Sequence, residues 1–191
     1  MEIKRDRYLN KLISFMWDGQ VKVITGIRRC GKSTLLKQYQ ELLREQGVGE
    51  EQIISINFEE LEYEPLLEYH ALYQYVKERL CPEKMTYIFL DEIQKVDGFQ
   101  KVVDSLYVKE NTDLYITGSN AYLLSGDLAT LLTGRYVELS MLPLSFREYT
   151  EITSTQGDIA FAEYLKYGGL PYVAAMEKTE EKVSTYLEGI Y

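Results

Sequence analysis

Apolar residues recur along this chain in two alternating rhythms. Tyr8, Leu9, Leu12, Ile13, Phe15 and Met16 fall at helical spacing between Asp6 and Asp18, and Gly19 supplies a stop. Val21-Lys22-Val23-Ile24-Thr25 then reads as a buried strand, and Ser33 to about Gln46 as a helix closed by Gly47 and Gly49. The alternation repeats down the chain. Ile53 to Phe58 predicts a second strand, Leu66 to Leu80 a helix with Pro82 beyond its end, and Thr86 to Leu90 a third strand. Gly98 to about Lys109 predicts a helix whose apolar face is Phe99, Val102, Val103 and Leu106. Leu114 to Thr117 predicts a fourth strand, Ala121 to about Leu132 a helix, and Tyr136 to Met141 a fifth strand. After Pro143 the strands stop, and Ser145 to Tyr191 reads as helical with a break at Gly168-Gly169-Leu170-Pro171.

Five strands alternating with helices predict an α/β fold, a five-stranded parallel sheet sandwiched by helices and joined by right-handed crossovers. Residues 1–143 would form that core and 144–191 a helical, lid-like segment. Ser184 to Tyr191 reads as a helix cut mid-pattern, the expectation for a fragment of a longer protein. There is no internal repeat, low-complexity run or obvious linker. Ligands on such sheets bind beyond the carboxyl ends of the strands, so the chemistry is to be sought there.

The first strand runs into Gly26-Ile27-Arg28-Arg29-Cys30-Gly31-Lys32-Ser33, a full match to the phosphate-binding loop G-x-x-x-x-G-K-[ST]. Strand before and helix after are the context that this motif requires, and a mere glycine turn explains neither. Gly26 and Gly31 let the backbone wrap so that its N–H groups point at phosphate oxygens, and the start of the helix adds positive potential. Lys32 can reach the outer phosphates of a nucleotide, and the Ser33 hydroxyl can sit on Mg²⁺. Arg28 and Arg29 either contact phosphates or a partner, or simply face solvent. Cys30 is small enough for the turn and reads as filler rather than a reactive thiol.

The third strand ends in Ile88-Phe89-Leu90-Asp91-Glu92, an apolar run closed by acids, as in a Walker B motif. Asp91 at the tip can orient the water shell of Mg²⁺, and Glu92 can polarise a water for attack on a terminal phosphate. A second strand separates the two motifs in sequence, which implies a strand inserted between them in the sheet. That arrangement belongs to P-loop ATPases with a glutamate beside the Walker B aspartate rather than to nucleoside-monophosphate kinases. The fourth strand ends in Thr117-Gly118-Ser119-Asn120. Ser119 and, less favoured, Asn120 qualify as a sensor of the terminal phosphate, while either also serves as a helix cap. Arg135, in Thr133-Gly134-Arg135-Tyr136, can be presented at the edge of the site or to a neighbour's site, or can pack on Tyr136.

Composition narrows the partners. The 191 residues carry a net charge of −9, and such an acidic surface disfavours a general DNA-coating role, which needs counterion release. Two cysteines, Cys30 and Cys81, are too few and too far apart for a disulfide framework or zinc site, and His70 lies in a tyrosine-rich helical stretch. Charges throughout residues 1–19 argue against a signal peptide, and no apolar run reaches membrane-spanning length. A reducing cytoplasm is the simplest compartment.

These segments resemble the AAA-type ATPases of the AAA+ superfamily, in particular a bacterial and archaeal group in which the AAA domain precedes a C-terminal domain of unknown function. The likeness is carried by Val23 to Thr34, Ile56-Asn57-Phe58-Glu59, Phe89 to Gln94, Ile116 to Asn120, Gly134-Arg135, Leu142 to Glu148 and Tyr167 to Pro171. It implies ATP as the nucleotide, held by Gly31, Lys32, Ser33 and Thr34. It implies Asp91 and Glu92 as metal and water residues, and Ser119 or Asn120 as sensor. It further implies a following domain with a restriction-endonuclease-like fold, absent from this chain, as the route to a nucleic-acid or protein partner, and allows a homo-oligomer. One departure is visible: no G-x-R sensor motif lies near Gly168-Gly169. Two functions stay open. One is an ATPase that turns hydrolysis into motion, which Glu92 favours. The other is a nucleotide-dependent switch that binds ATP and hydrolyses it slowly. A small-molecule kinase is disfavoured, because no acceptor pocket is evident beside Asp91-Glu92.

Overall fold

The computed structural model describes residues 3–118, 132–153 and 155–190. Five strands, β1 (Val21–Gly26), β2 (Ile53–Asn57), β3 (Thr86–Asp91), β4 (Thr112–Gly118) and β5 (Tyr136–Met141), form one sheet in the order β2-β3-β4-β1-β5. Every pairing is parallel. The expected fold class holds, and a strand does lie between β1 and β3. That strand is β4, whereas the second strand of the sequence takes the edge beside β3.

The three central strands explain their own sequences. Every residue of β1 and β3 is buried, and all but the first of β4, as both faces of a parallel sheet must be when helices cover them. Alternate residues divide between two cores. Val23, Ile88, Leu90 and Ile116 face α3 (Tyr69–Lys77) and α4 (Phe99–Tyr107). Ile24, Phe89, Tyr115 and Leu139 face α1 (Asp6–Ser14) and α2 (Lys32–Glu45). Lys22 breaks the apolar pattern of β1 and is fully buried. Its ammonium meets Asp113 at 2.6 Å and Asp18 at 2.7 Å, so the charge is paired where water cannot reach.

Two predicted helices come out shorter. The chain turns left-handed at Trp17, whose backbone N–H donates to Asp113 and whose indole donates to the Tyr87 hydroxyl, so α1 stops at Ser14. The stretch expected as one helix over 66–80 is a 3₁₀ turn, Leu61–Leu66, followed by α3, because the Glu68 side chain caps α3 at the Ala71 N–H. Of the helix expected over 121–132, all but Leu132 lies outside the described residues.

Beyond β5 come α5 (Phe146–Ile152), α6 (Gly157–Tyr167), α7 (Pro171–Ala175) and α8 (Glu180–Glu188). Ser145 and Glu148 form a capping box on α5, and Pro171 opens α7 at a position that needs no N–H. These helices bury small cores of their own, one around Leu144 and Tyr149, another around Leu170, Val173 and Val183. Ile3 joins the first of these from the chain start.

Candidate nucleotide site

The site is built where β1 and β3 end on the same side of the sheet. At Gly26 a side chain is excluded by packing: a Cβ would stand 2.4 Å from the carbonyl oxygen of Met141 on β5. Gly31 has φ +103°, a left-handed value that glycine adopts without strain, and it starts α2. Between them Ile27, Arg28 and Arg29 are exposed, whereas Cys30 is buried and burial pushes its thiol pKa up, which suits filler and not a nucleophile. Thr34 is exposed on the first turn of α2.

Lys32 is buried, and its ammonium donates to the carbonyls of Gly26 at 3.3 Å and Ile27 at 3.4 Å. It lies 3.7 Å from the Glu92 carboxylate. Phosphate loop and third strand are thereby joined through the two residues expected to hold and to hydrolyse a nucleotide. Glu92 itself sits at φ +55°, an unusual backbone for a glutamate. Its other carboxylate oxygen accepts from the Gln94 amide.

Ser33 stands beside the Asp91 carboxylate, and the two line one cavity. Burial raises the Asp91 pKa above the usual carboxylate range, while the bonds from Ser33 and Thr117 and the charge of Lys32 oppose that rise. Thr117 at the end of β4 bridges the pair of acids. Its hydroxyl donates to Asp91 and accepts from the Glu92 backbone N–H at 3.0 Å. Leu90 pairs with Ile116 in the sheet, and the next residue of each strand completes this contact. The sensor positions expected two and three residues further on, Ser119 and Asn120, lie outside the described residues. A threonine at the tip of a strand flanked by both motif strands was the available signal.

Arg135 is not brought to this site. Its backbone carbonyl accepts from Val21, the first residue of β1, so it stands at the amino end of the sheet, opposite the loop. Its guanidinium pairs with Asp104 at 3.1 Å and lies 5.3 Å from the Tyr107 ring centre, half exposed. The option of an arginine at the edge of its own chain's site therefore falls away.

Ser33 and Asp91 share a cavity of about 160 Å³, and two further cavities border the loop. One, of about 310 Å³, holds Lys32, Ser33, Glu59 and Glu92 on the sheet side and Tyr172 and Tyr186 on the helical side. The other, of about 350 Å³, is lined mostly by apolar side chains, among them Ile3, Leu144, Ile152 and Ala175. Gly31, Thr34 and Pro171 border both. No group of three or more His, Cys, Asp or Glu side chains suited to a metal occurs among the described residues.

A parallel sheet with a phosphate loop at the end of β1 and paired acids at the end of β3 defines a nucleotide-binding module of the P-loop ATPase type. Residues 18–150 match the model of a family described as an AAA domain. The chain belongs to this family, among the AAA+ ATPases. It is 44% identical over 195 residues to an uncharacterized protein of Haemophilus influenzae, covering 99% of this chain and 48% of that protein. An uncharacterized protein of Methanocaldococcus jannaschii is 31% identical over 209 residues, covering 98% of this chain and 45% of that one. The chain thus spans about half the length of these relatives. Among solved structures it is similar to a Walker-type ATPase of Pyrococcus abyssi, with TM-score 0.63, 16% identity, and 91% of this chain and 65% of the other covered. AMPPCP-bound DnaA of Aquifex aeolicus gives TM-score 0.53 at 12% identity, covering 100% and 62%. Aeropyrum pernix Orc1 in complex with DNA gives 0.59 at 13%, covering 100% and 66%. At these identities the likeness is one of fold.

Proposed function

We propose that this chain binds Mg·ATP and hydrolyses it, as the ATPase part of a longer protein. The observation that carries the reading is that Lys32 reaches Glu92, that Ser33 stands beside Asp91, and that Ser33 lines both of the adjoining cavities that hold these acids. The triphosphate would lie over the loop N–H groups and Lys32, with the base in the apolar cavity beyond Pro171.

Ser33 and Asp91 suit Mg²⁺, which takes few protein oxygens and shares the rest with phosphates and water. A buried carboxylate whose charge is poorly solvated is a fitting partner for a cation. Bound there, the ion would neutralise charge on the phosphates. Glu92 accepts a proton from water as the water oxygen bonds to the terminal phosphorus and the bond to the ADP oxygen breaks. Phosphate oxygens compete with Glu92 for Lys32, so nucleotide binding frees the base from its ion pair.

A second reading keeps the binding and removes most of the turnover: a switch that reports ATP to a partner. The double engagement of Glu92, by Lys32 and by Gln94, favours it. Domain boundary, oligomer and location follow the same reading. Residues 144–191 act as a lid over the 1–143 core, Arg135 serves a neighbouring copy, and two free thiols suit a reducing cytoplasm. Nucleic acid or protein would be engaged through the remainder of the longer protein. No helix among the described residues is long and apolar enough to cross a membrane.

Titration of a fluorescent ATP analogue into the chain and its Lys32→Ala variant tests the binding. Loss of the ammonium should weaken affinity by about 1.5–3 kcal/mol. Glu92→Gln should retain affinity and lose roughly 10²-fold or more in hydrolysis. A parent that binds ATP and turns over no faster than Glu92→Gln selects the switch. Unchanged affinity on removing Lys32 refutes both readings.

A further inference from the structure

Gln94 lies in the short 3₁₀ turn after β3, Ile93–Lys95. The Lys95 N–H donates to the Glu92 carbonyl at 3.1 Å and joins this turn back to the strand end. The two polar ends of the Gln94 side chain meet opposite circumstances. Its amide nitrogen donates to Oε2 of Glu92. Its amide oxygen is shielded from solvent and has no hydrogen-bond partner among the described residues. Turning the amide over would set that oxygen against a carboxylate oxygen, so the bond to Glu92 decides which end is left over.

A buried acceptor without a donor is costly, and an apolar side chain of the same shape would avoid that cost. Gln94 accepts it for the contact with Glu92. The two oxygens of that carboxylate are held differently. Oε1 lies 3.7 Å from the Lys32 ammonium, and Oε2 takes the Gln94 amide. The backbone places Glu92 only as far as its Cα, with φ at +55° and the N–H donating to Thr117. The carboxylate stands several rotatable bonds further out. Freedom about those bonds must be removed before it can meet a water in line with the terminal phosphorus. Phosphate oxygens that draw Lys32 away release Oε1 alone. Gln94 borders none of the cavities around the loop, so nucleotide does not compete for its amide.

We propose that Gln94 is the positioning residue of the base: it keeps Oε2 of Glu92 while nucleotide draws Lys32 away, so that Oε1 is the oxygen that takes the proton from water. This deepens the hydrolysis reading and rests on it. The two holds on Glu92 then serve different ends. The Lys32 pair restrains the base at rest and ends when ATP arrives. The Gln94 bond outlasts it and aims the freed oxygen. The stranded amide oxygen is stability given up at a functional site, as a local rule broken there commonly is.

Steady-state hydrolysis and Mg·ADP titration test this with Gln94→Met, alone and combined with Glu92→Gln. Methionine keeps the length of the side chain and removes both polar ends. The kcat should fall about tenfold or more, while KM for ATP and affinity for ADP stay within about twofold. The melting temperature should hold, because the bond lost is to a carboxylate that keeps some contact with solvent, and a buried unpaired oxygen goes with it. In the Glu92→Gln background methionine should change turnover by less than about twofold, since Gln94 acts only through Glu92. Gln94→Leu, a second apolar shape, should give the same pattern. Parental kcat in either variant, or a loss as large in the Glu92→Gln background, overturns the proposal alone. A parent that turns over no faster than Glu92→Gln overturns the hydrolysis reading, and the proposal falls with it.

Discussion

Arg5 and Glu148 form an ion pair at 2.8 Å, one ahead of the first helix and the other inside α5. The same guanidinium donates to the carbonyl of Cys30 in the phosphate loop at 3.3 Å and to that of Leu142 after β5 at 2.9 Å. It also lies over the Tyr8 ring. One buried side chain thus ties the chain start, the loop, the end of the sheet and the helical segment together. Arg5→Ala should cost about 3 kcal/mol, the low end for breaking a buried pair, because Glu148 keeps some contact with solvent. Urea unfolding measures it. Lysine should not rescue, since it lacks the fork that serves several acceptors at once. A cost below about 1 kcal/mol would place the pair among surface bridges.

Thr117 makes a second prediction. Thr117→Val preserves the shape and removes the hydroxyl that joins Asp91 to the Glu92 N–H. The buried Asp91 carboxylate and the partly buried Glu92 N–H each lose a partner, so stability should fall by about 1–3 kcal/mol. With Glu92 no longer fixed at its unusual backbone angle, hydrolysis should fall more than ADP affinity does. Thr117→Ser should restore both. A valine variant with parental turnover would show that Thr117 does not position Glu92.

The raised Asp91 pKa sets a pH dependence. Because the folded protein holds this proton to higher pH than the unfolded chain does, Asp91 lowers stability as pH rises from the ordinary value of about 3.9 through its raised one. Cation binding runs the opposite way, because Mg²⁺ needs the carboxylate. Affinity for Mg·AMPPNP should therefore weaken as pH falls into that window, earlier than an ordinary aspartate would allow. Asp91→Asn should bind more weakly throughout and lose this slope. Titrations at a series of pH values decide it, and an unaltered slope in the variant would remove Asp91 from the metal.

Arg135 stands at the end of the sheet remote from the loop, paired with Asp104. If it serves a neighbour, Arg135→Ala should bind ATP and fail to turn it over. Mixing it with Glu92→Gln should restore part of the activity, because a mixed interface holds one intact arginine and one intact glutamate. Specific activity of the parent should rise with concentration as copies associate. Specific activity that stays flat over about a hundredfold range, with no rescue on mixing, would leave Arg135 a surface residue.

Local patterns made the sheet and half of the site legible. β5 begins and ends where its alternation predicts, and the residues of both motifs meet as their positions at strand ends require. Contacts between distant stretches leave no such trace. Arg5, Thr117 and Tyr186 are ordinary residues in sequence, and each gains its partners from elements far along the chain. Gln94 is likewise drawn to Glu92 only by the turn after β3. The 3₁₀ turn before α3 was hidden because Leu66 and Leu67 extend the apolar rhythm of the helix, while the Glu68 cap starts it later.

The strand that carries the phosphate loop lies between two partners that both come later in the chain. Val23 of β1 pairs with Ile116 and Glu138, about ninety and more residues on, whereas β2, β3 and β4 pair in simple succession. Closing so long a connection carries an entropic cost before any contact returns it. During synthesis β1 must therefore wait for β4 before either edge can pair, and its second edge stays open until β5 has emerged. The loop then acquires its shape in the last step of sheet assembly, when Met141 reaches Gly26. Affinity for nucleotide becomes a property that the chain gains at the end of folding, and a nascent chain stopped short of β5 has the motif without the site.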